Sequence, residues 1–262
     1  MFDSRVDRTR KPVMSDNRNS LRRPSINLSD AIIPGLCAGC EARHIGLCDA
    51  LADEDLHFLA SVAKPHVVSK GRMFAAEGDK ARYFFNINRG TAKLFKDLPD
   101  GRRQITGFVG AGGFVGLAAA DHYAFTAEAI DEVRLCRFDR TELRSVFSMF
   151  PALERRLLDV ASHELILAQE QMLLLGRKSA IERLASFLLD WSDRAEICPN
   201  EARALALPMT RADLGDYLGL TFETVSRALS VLKRRNIIEI GKNHGIRILD
   251  RNRMWDFATG GS

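Results

Sequence analysis

Residues 210–235 admit little besides two short helices joined by a tight corner. Thr210 is placed to cap the first helix, Gly219 to end it, and Leu220-Thr221 to make the turn. Thr221 can cap the second helix by accepting a backbone N–H bond. Val225, Leu229 and Leu232 then fall on one apolar face, with Glu223, Ser226 and Arg227 on the opposite face. Helix, short glycine turn, helix is the helix-turn-helix layout. The same spacing also suits an αα-hairpin with a charged outer face. The chemistry of the exposed face favours DNA. An arginine such as Arg227 can pair bidentately with guanine, and Glu223 can accept from a cytosine amino group. Lys233, Arg234 and Arg235 follow, suited to backbone phosphates. Residues 237–248 read as two short strands around a glycine-containing turn, a wing that completes a winged domain.

A chain of 262 residues, 46% of them hydrophobic, has room for two domains. No apolar run approaches the roughly 20 residues of a membrane span. The polar, basic N-terminus lacks the apolar core of a signal peptide. The expected location is the cytoplasm, with no membrane partner. There the five cysteines are expected as free thiols, catalytic groups or metal ligands rather than structural disulfides. The net charge of +4 permits nucleic-acid binding without arguing for it. Residues 1–30 carry seven Arg or Lys and few large apolar groups, the composition of a disordered basic tail.

Three thiols fall within twelve residues, Cys37, Cys40 and Cys48, at spacing C-x2-C-x7-C. Two cysteines separated by two residues can turn both sulfurs toward one centre, and Gly39 and Gly46 let the backbone wrap around it. A four-thiolate site needs one more soft ligand, and the candidates are Cys136, Cys198 and His44. Structural zinc and an iron–sulfur cluster both suit such a set. A dithiol redox enzyme using Cys37 and Cys40 would call for a βαβ context absent here. Nothing else marks catalysis: there is no activated nucleophile and no phosphate-cradling loop.

From about residue 53 to residue 140 glycines punctuate short apolar or alternating runs, and Pro99-Asp100-Gly101 is a hairpin turn signal. Many short strands with tight turns predict a small β-barrel or sandwich. Residues 151–176 predict one long helix. Leu158, Ala161, Leu165, Ala168, Met172 and Leu175 follow a 3-4 alternation, the seam of a coiled-coil homodimer. A second stripe, Leu157, Val160, Leu167 and Leu174, is free to face the chain's own domains. Gly176 and Arg177 mark a hinge, and a further amphipathic helix is expected from residue 179 to about residue 193.

The stretch from Asp213-Leu214-Gly215 to Arg227 resembles the DNA-binding signature of the cyclic-AMP receptor protein (CRP) superfamily. Within it, Glu-Thr-Val-Ser-Arg at 223–227 is similar to the branch of the fumarate–nitrate reduction regulator (FNR), which implies readout of a TTGAT-type half-site. The cysteine spacing resembles the FNR/FixK-like oxygen regulators. That resemblance implies a [4Fe–4S] cluster on Cys37, Cys40, Cys48 and Cys136, the last on the strand at 133–138. It implies an α+β fold: a jelly-roll sensory β-barrel (31–147), a dimerisation helix (148–176) and a winged helix-turn-helix domain (177–262). It further implies an oxygen-responsive, mainly activating regulator of microaerobic respiration or nitrogen-fixation genes, with palindromic DNA and RNA polymerase as partners.

A cyclic-nucleotide sensor is the competing reading of the barrel. Such a site calls for a glutamate and an arginine near the glycine-rich turn, yet residues 112–130 contain no Arg or Lys and the turn reads Gly116-Leu117. A haem sensor through His44 or His122 would leave the clustered thiols unexplained. The best-known FNR relative carries an acidic residue on the dimer seam where this chain has Ala168. Two such carboxylates repel, so the expectation here is a dimer that outlasts its cluster, with Glu164 and Glu170 beside the seam as the residues that could restore repulsion.

Overall fold

The computed structural model describes residue 37 and residues 39–117, 121–197, 207–241 and 245–261. The basic stretch 1–30, Cys198 and the tip of the wing lie outside them.

Two 3-10 turns (Leu47–Ala50 and Asp53–Asp55) lead into a short helix α1 (Leu56–Val62). Eight strands follow: β1 (Ala63–Val68), β2 (Met73–Ala75), β3 (Tyr83–Arg89), β4 (Ala92–Asp97), β5 (Arg103–Val109), β6 (Phe114–Val115), β7 (Thr126–Ala129) and β8 (Val133–Asp139). They pair into two four-stranded sheets, ordered β1-β8-β3-β6 and β2-β7-β4-β5, with antiparallel pairing throughout. The barrel read from the glycine-punctuated runs is therefore present. Alternation decides what each strand contributes. On β8, Val133 and Leu135 enter the core between the sheets with Val68, Phe85, Ile87 and Val115. Cys136 and Phe138 point the other way, into a second apolar cluster with Leu56, Leu59 and Leu143.

Asp139 ends β8 and caps α2 (Arg140–Met149) by accepting the Thr141 N–H. Pro151 opens α3 (Pro151–Arg177) at a first-turn position where its missing N–H costs nothing. Its 27 residues make a rod about 40 Å long. Three of the second stripe's four residues behave as expected, while Leu167 is half-buried and joins neither core cluster. Leu157 and Val160 pack on the Cys136 cluster, and Leu174 joins the core of the C-terminal domain.

That domain comprises α4 (Ala180–Ile197), α5 (Arg211–Leu218), α6 (Phe222–Arg234), the hairpin β9 (Ile238–Ile240) and β10 (Ile246–Ile248), and α7 (Arg251–Thr259). Helix α4 runs four residues beyond the expected end near residue 193, a boundary that amphipathic spacing fixes poorly. The barrel and this domain share apolar packing. Phe108 of β5 lies 5.2 Å from the Tyr217 ring and 6.0 Å from the Phe187 ring, centroid to centroid. The Tyr217 carbonyl accepts from Gln171 of α3 at 2.8 Å and from Gln104 of β5 at 3.3 Å. Barrel, long helix and C-terminal domain thus meet at one residue.

Candidate functional site

The helix-turn-helix is built as its caps predict. Thr210 accepts the Asp213 N–H while Asp213 accepts the Thr210 N–H, a reciprocal capping box on α5. Gly219 closes α5 at φ +63°, the left-handed conformation that favours glycine. Thr221 caps α6 by accepting from Thr224. Val225, Leu229 and Leu232 are buried, whereas Glu223, Arg227, Lys233 and Arg234 are exposed and Ser226 is half-exposed. The Glu223 carboxyl is held below the usual carboxylate range by its own backbone N–H and by the Thr221 hydroxyl, so it presents an ionised acceptor. Sequence reasoning missed Arg211. This first residue of α5 reaches across the turn and donates to Ser226 Oγ at 3.3 Å, which adds a cation to the same face. Its signal was the cap at Thr210, which places residue 211 at a helix start near the turn. Strands β9 and β10 pair as a hairpin, Ile238 opposite Ile248, and make the base of the wing.

The thiols gather beneath the barrel. Cys136 sits mid-strand on β8, paired across to Asn86 of β3 and Pro65 of β1. It is buried, and its Sγ accepts from Asn88 Nδ2 at 3.3 Å. Cys37, Cys40 and Cys48 are each partly buried in the segment that packs below this strand. Burial pushes the Cys48 thiol up to about 12, and the charges of Cys136, Cys37 and Cys40 push the same way, with Arg43 opposing. The Cys136 thiol is likewise raised, first by burial, then by Cys40 and Cys37, against the Asn88 bond. Cys48 and Cys136 therefore lie within electrostatic reach of the other cysteines. They are neighbours rather than a closed cage: among the described residues no three His, Cys, Asp or Glu side chains converge on a single metal ion. His44, a candidate ligand, is exposed, and so is His122. Gly39 has open space where a Cβ would stand, so it is not needed for clearance. Gly46 is closely packed, since a Cβ there would lie 3.1 Å from Asn86 Oδ1 and from the Gly112 carbonyl, and those neighbours would have to shift to admit it.

Two arginines fix this segment, and neither has a signature in the sequence. Arg43 is buried and donates to the Cys48 and Leu51 carbonyls and to Asp53, at 2.6–2.8 Å. Arg156 of α3 donates to the Ile45 carbonyl at 3.0 Å and the Gly46 carbonyl at 3.4 Å. The loop between the second and third cysteines is thus hydrogen-bonded to the long helix.

On that helix Leu158, Leu165 and Met172 are 63%, 60% and 65% exposed, and Ala161 and Ala168 are exposed beside them. Leu175, the last residue of that stripe, is half-buried and packs against the core of the C-terminal domain. Ile166 and Leu173 are exposed as well and widen the apolar stripe beyond the predicted residues.

Residues 182–257 match the model of the Crp-like helix-turn-helix domain, and residues 65–149 that of the cyclic nucleotide-binding domain. The second match describes the barrel. The only cation bonded at its Gly116 turn among the described residues is Arg140, which donates to the Gly116 carbonyl itself. The chain is 39% identical to the transcriptional activatory protein AadR of Rhodopseudomonas palustris, across 82% of this chain and 89% of that one. It is 38% identical to the nitrogen fixation regulation protein FixK of Bradyrhizobium diazoefficiens, across 85% and 94%. The structure of FixK2 from Bradyrhizobium japonicum superposes with a TM-score of 0.70 at 37% identity, over 75% of this chain and 97% of that one. Among the described residues no helix is long and apolar enough to cross a membrane. With the fold, the recognition helix and its relatives in agreement, the chain belongs to the CRP/FNR family, in its FNR/FixK branch, a family of DNA-binding transcription regulators and not of enzymes.

Proposed function

We propose that this regulator is an oxygen-responsive homodimeric activator whose thiols Cys37, Cys40, Cys48 and Cys136 hold a [4Fe–4S] cluster. The observation that carries this reading is the gathering of four soft donors, three partly buried in one segment and one buried on β8, where Cys37 and Cys48 pack against the apolar cluster that holds Cys136. An all-thiol donor set suits iron–sulfur ligation. When bound, such a cluster supplies an oxygen-labile centre.

The chain's own residues carry the signal onward. The loop from Cys40 to Cys48 is held to α3 through Arg156, two residues before the seam residue Leu158. A change in the loop's backbone redirects two carbonyls that Arg156 binds, and so acts on the helix that pairs two subunits. Leu158, Ala161, Leu165, Ala168 and Met172 form that pairing stripe. The dimer presents Glu223, Ser226 and Arg227 twice, about 34 Å apart, to a palindrome of TTGAT-type half-sites. Lys233 and Arg234 hold the flanking phosphates. RNA polymerase is the downstream partner, and genes of microaerobic respiration or nitrogen fixation are the targets.

Protein purified without oxygen tests the cluster directly. About four iron and four inorganic sulfide per subunit are expected. Serine at Cys37, Cys40, Cys48 or Cys136 should abolish the brown absorption, whereas Cys198→Ser should retain it. Stoichiometric zinc without sulfide would overturn the assignment, and a full cluster in Cys136→Ser would remove that residue from the ligand set.

A further inference from the structure

The barrel has a second polar feature, far from the thiols in its chemistry. Strand β1 is the outer strand of one sheet and β2 the outer strand of the other, so the corner between them leaves the two sheet edges side by side. A cleft of about 440 Å³ lies there, within the range of small-molecule sites. Its apolar lining includes Phe85 and Val68, both buried, and Phe74, whose ring meets that of Phe85 edge-on at 5.1 Å. Its polar lining is Arg137, Arg72, His66 and Ser69, with no carboxylate among the lining residues.

Arg137 is the unusual member. It follows Cys136 on β8 and so points to the opposite side of the sheet, opposite Phe85 across the strands. Its guanidinium stacks on the Tyr83 ring, 4.5 Å from the centroid. Its Nε is buried with no hydrogen-bond partner, and no ion pair reaches it among the described residues. Arg103 and Arg134 of the same barrel have carboxylates in Asp97 and Glu132, and Arg140, whose Nε is also buried without a partner, is engaged by the Gly116 carbonyl and lies outside the cleft. A half-buried cation without an anion costs free energy, and a ligand that brings one recovers it. The basic N-terminal stretch has the wrong charge to serve.

We propose that this cleft binds a small organic carboxylate with an apolar or aromatic body. The planar guanidinium of Arg137 matches a carboxylate in shape, and Arg72 adds a second positive charge at the rim. Phe74, Phe85 and Met73 supply a wall that an inorganic anion cannot use. The site is distinct from the glycine turn at Gly112–Gly116, where residues 112–130 offer no cation. It makes the barrel responsive to a metabolite independently of the thiols.

Benzoate is the probe, added to the full-length protein with 13C-labelled methionine methyls. The Met73 methyl lies at the rim, while Met209 and Met254 are buried in the other domain and serve as internal controls. Benzoate should shift the Met73 signal saturably and leave the controls in place. Benzamide, of the same shape without the charge, and inorganic phosphate, charged without the ring, should each bind about tenfold more weakly or not at all. Arg137→Gln should weaken benzoate by about tenfold or more. Arg72→Gln, on an exposed side chain that leaves the fold intact, should weaken it by a smaller factor. Equal binding of benzamide would reduce the cleft to an apolar crevice, and equal binding of phosphate to a bare cationic patch. Either result, or no saturable shift with benzoate, overturns the proposal.

Discussion

Lys93 Nζ of β4 lies 2.8 Å from Asp213 Oδ1 of α5, with each side chain only 12% exposed. Glu128 of β7 is a second partner of the same lysine, at 3.2 Å. Asp213 is also the residue that closes the capping box on Thr210. One lysine of the barrel therefore engages the carboxylate that starts the first helix of the DNA-binding motif. Burial opposes charging of both groups, but mutual pairing and the Thr210 bonds prevail, so Asp213 titrates below and Lys93 above the ordinary value.

Replacing Lys93 by methionine leaves the buried Asp213 and the half-buried Glu128 without their cation. The expected loss is about 3 kcal/mol of unfolding free energy, measured by chemical denaturation near neutral pH. The pH dependence has a defined sign. Asp213 contributes stability that is complete above the usual Asp range near pH 4 and is lost as pH falls through its lower folded value. Lys93 contributes stability that is complete below the usual Lys range near pH 10 and is lost only as pH rises beyond it. The gap between wild type and Lys93→Met should accordingly stay constant across neutral pH and close in acid. A gap that persists once Asp213 is protonated would show that the lysine acts through packing alone.

Arg156→Met removes the donor to the Ile45 and Gly46 carbonyls while keeping much of the side chain's bulk. The loop should open more readily by roughly 1.5–3 kcal/mol, the range for hydrogen bonds from a charged group. Amide hydrogen exchange of residues 42–48 reads this directly and does not depend on a bound cluster. Unchanged protection would mean that Arg43 alone holds the loop.

Arg227→Ala should cost roughly 1–3 kcal/mol on the cognate palindrome and relax discrimination at the contacted base pair. Lys233→Ala should weaken cognate and random DNA alike and flatten the salt dependence by about one unit. Binding titrations at several salt concentrations separate the two. Equal losses on both DNAs for Arg227→Ala would make it a phosphate contact.

Ala168 stands exposed on the stripe between Leu165 and Met172. A neutral seam there should keep the protein dimeric after air exposure, and Ala168→Asp should bring like charges together at a cost of roughly 1–4 kcal/mol. Sedimentation before and after air exposure decides it. Conversion of wild type to monomer at micromolar concentration would assign the repulsion to Glu164 or Glu170 instead.

The recognition motif was legible in the sequence because it is local. Thr210, Gly219, Thr221 and the Val225-Leu229-Leu232 face act within a few residues of themselves, so caps and periodicity specify them before any tertiary contact forms. The barrel was legible as a class for the same reason: turn residues mark strand ends wherever the strands later pair. Strand order was not, since the pairing of β1 with β8 joins residues some seventy positions apart. Helix ends were legible only approximately, since α4 runs to Ile197, beyond the end its amphipathic spacing suggests.

What only the tertiary structure decided is which distant groups share a neighbourhood. The spacing of Cys37, Cys40 and Cys48 announced a soft site, but the sequence could not choose a fourth donor without a family resemblance. In the fold, alternation along β8 puts Cys136 on the side facing those thiols and Arg137 on the other, one residue apart in sequence and on opposite faces of a sheet. Lys93 with Asp213, Arg156 with Ile45, and Arg137 with Tyr83 are likewise pairs whose partners lie far apart in the chain. Side-chain hydrogen bonding and charge pairing leave no periodic trace, so such contacts become visible only once packing has fixed the backbone.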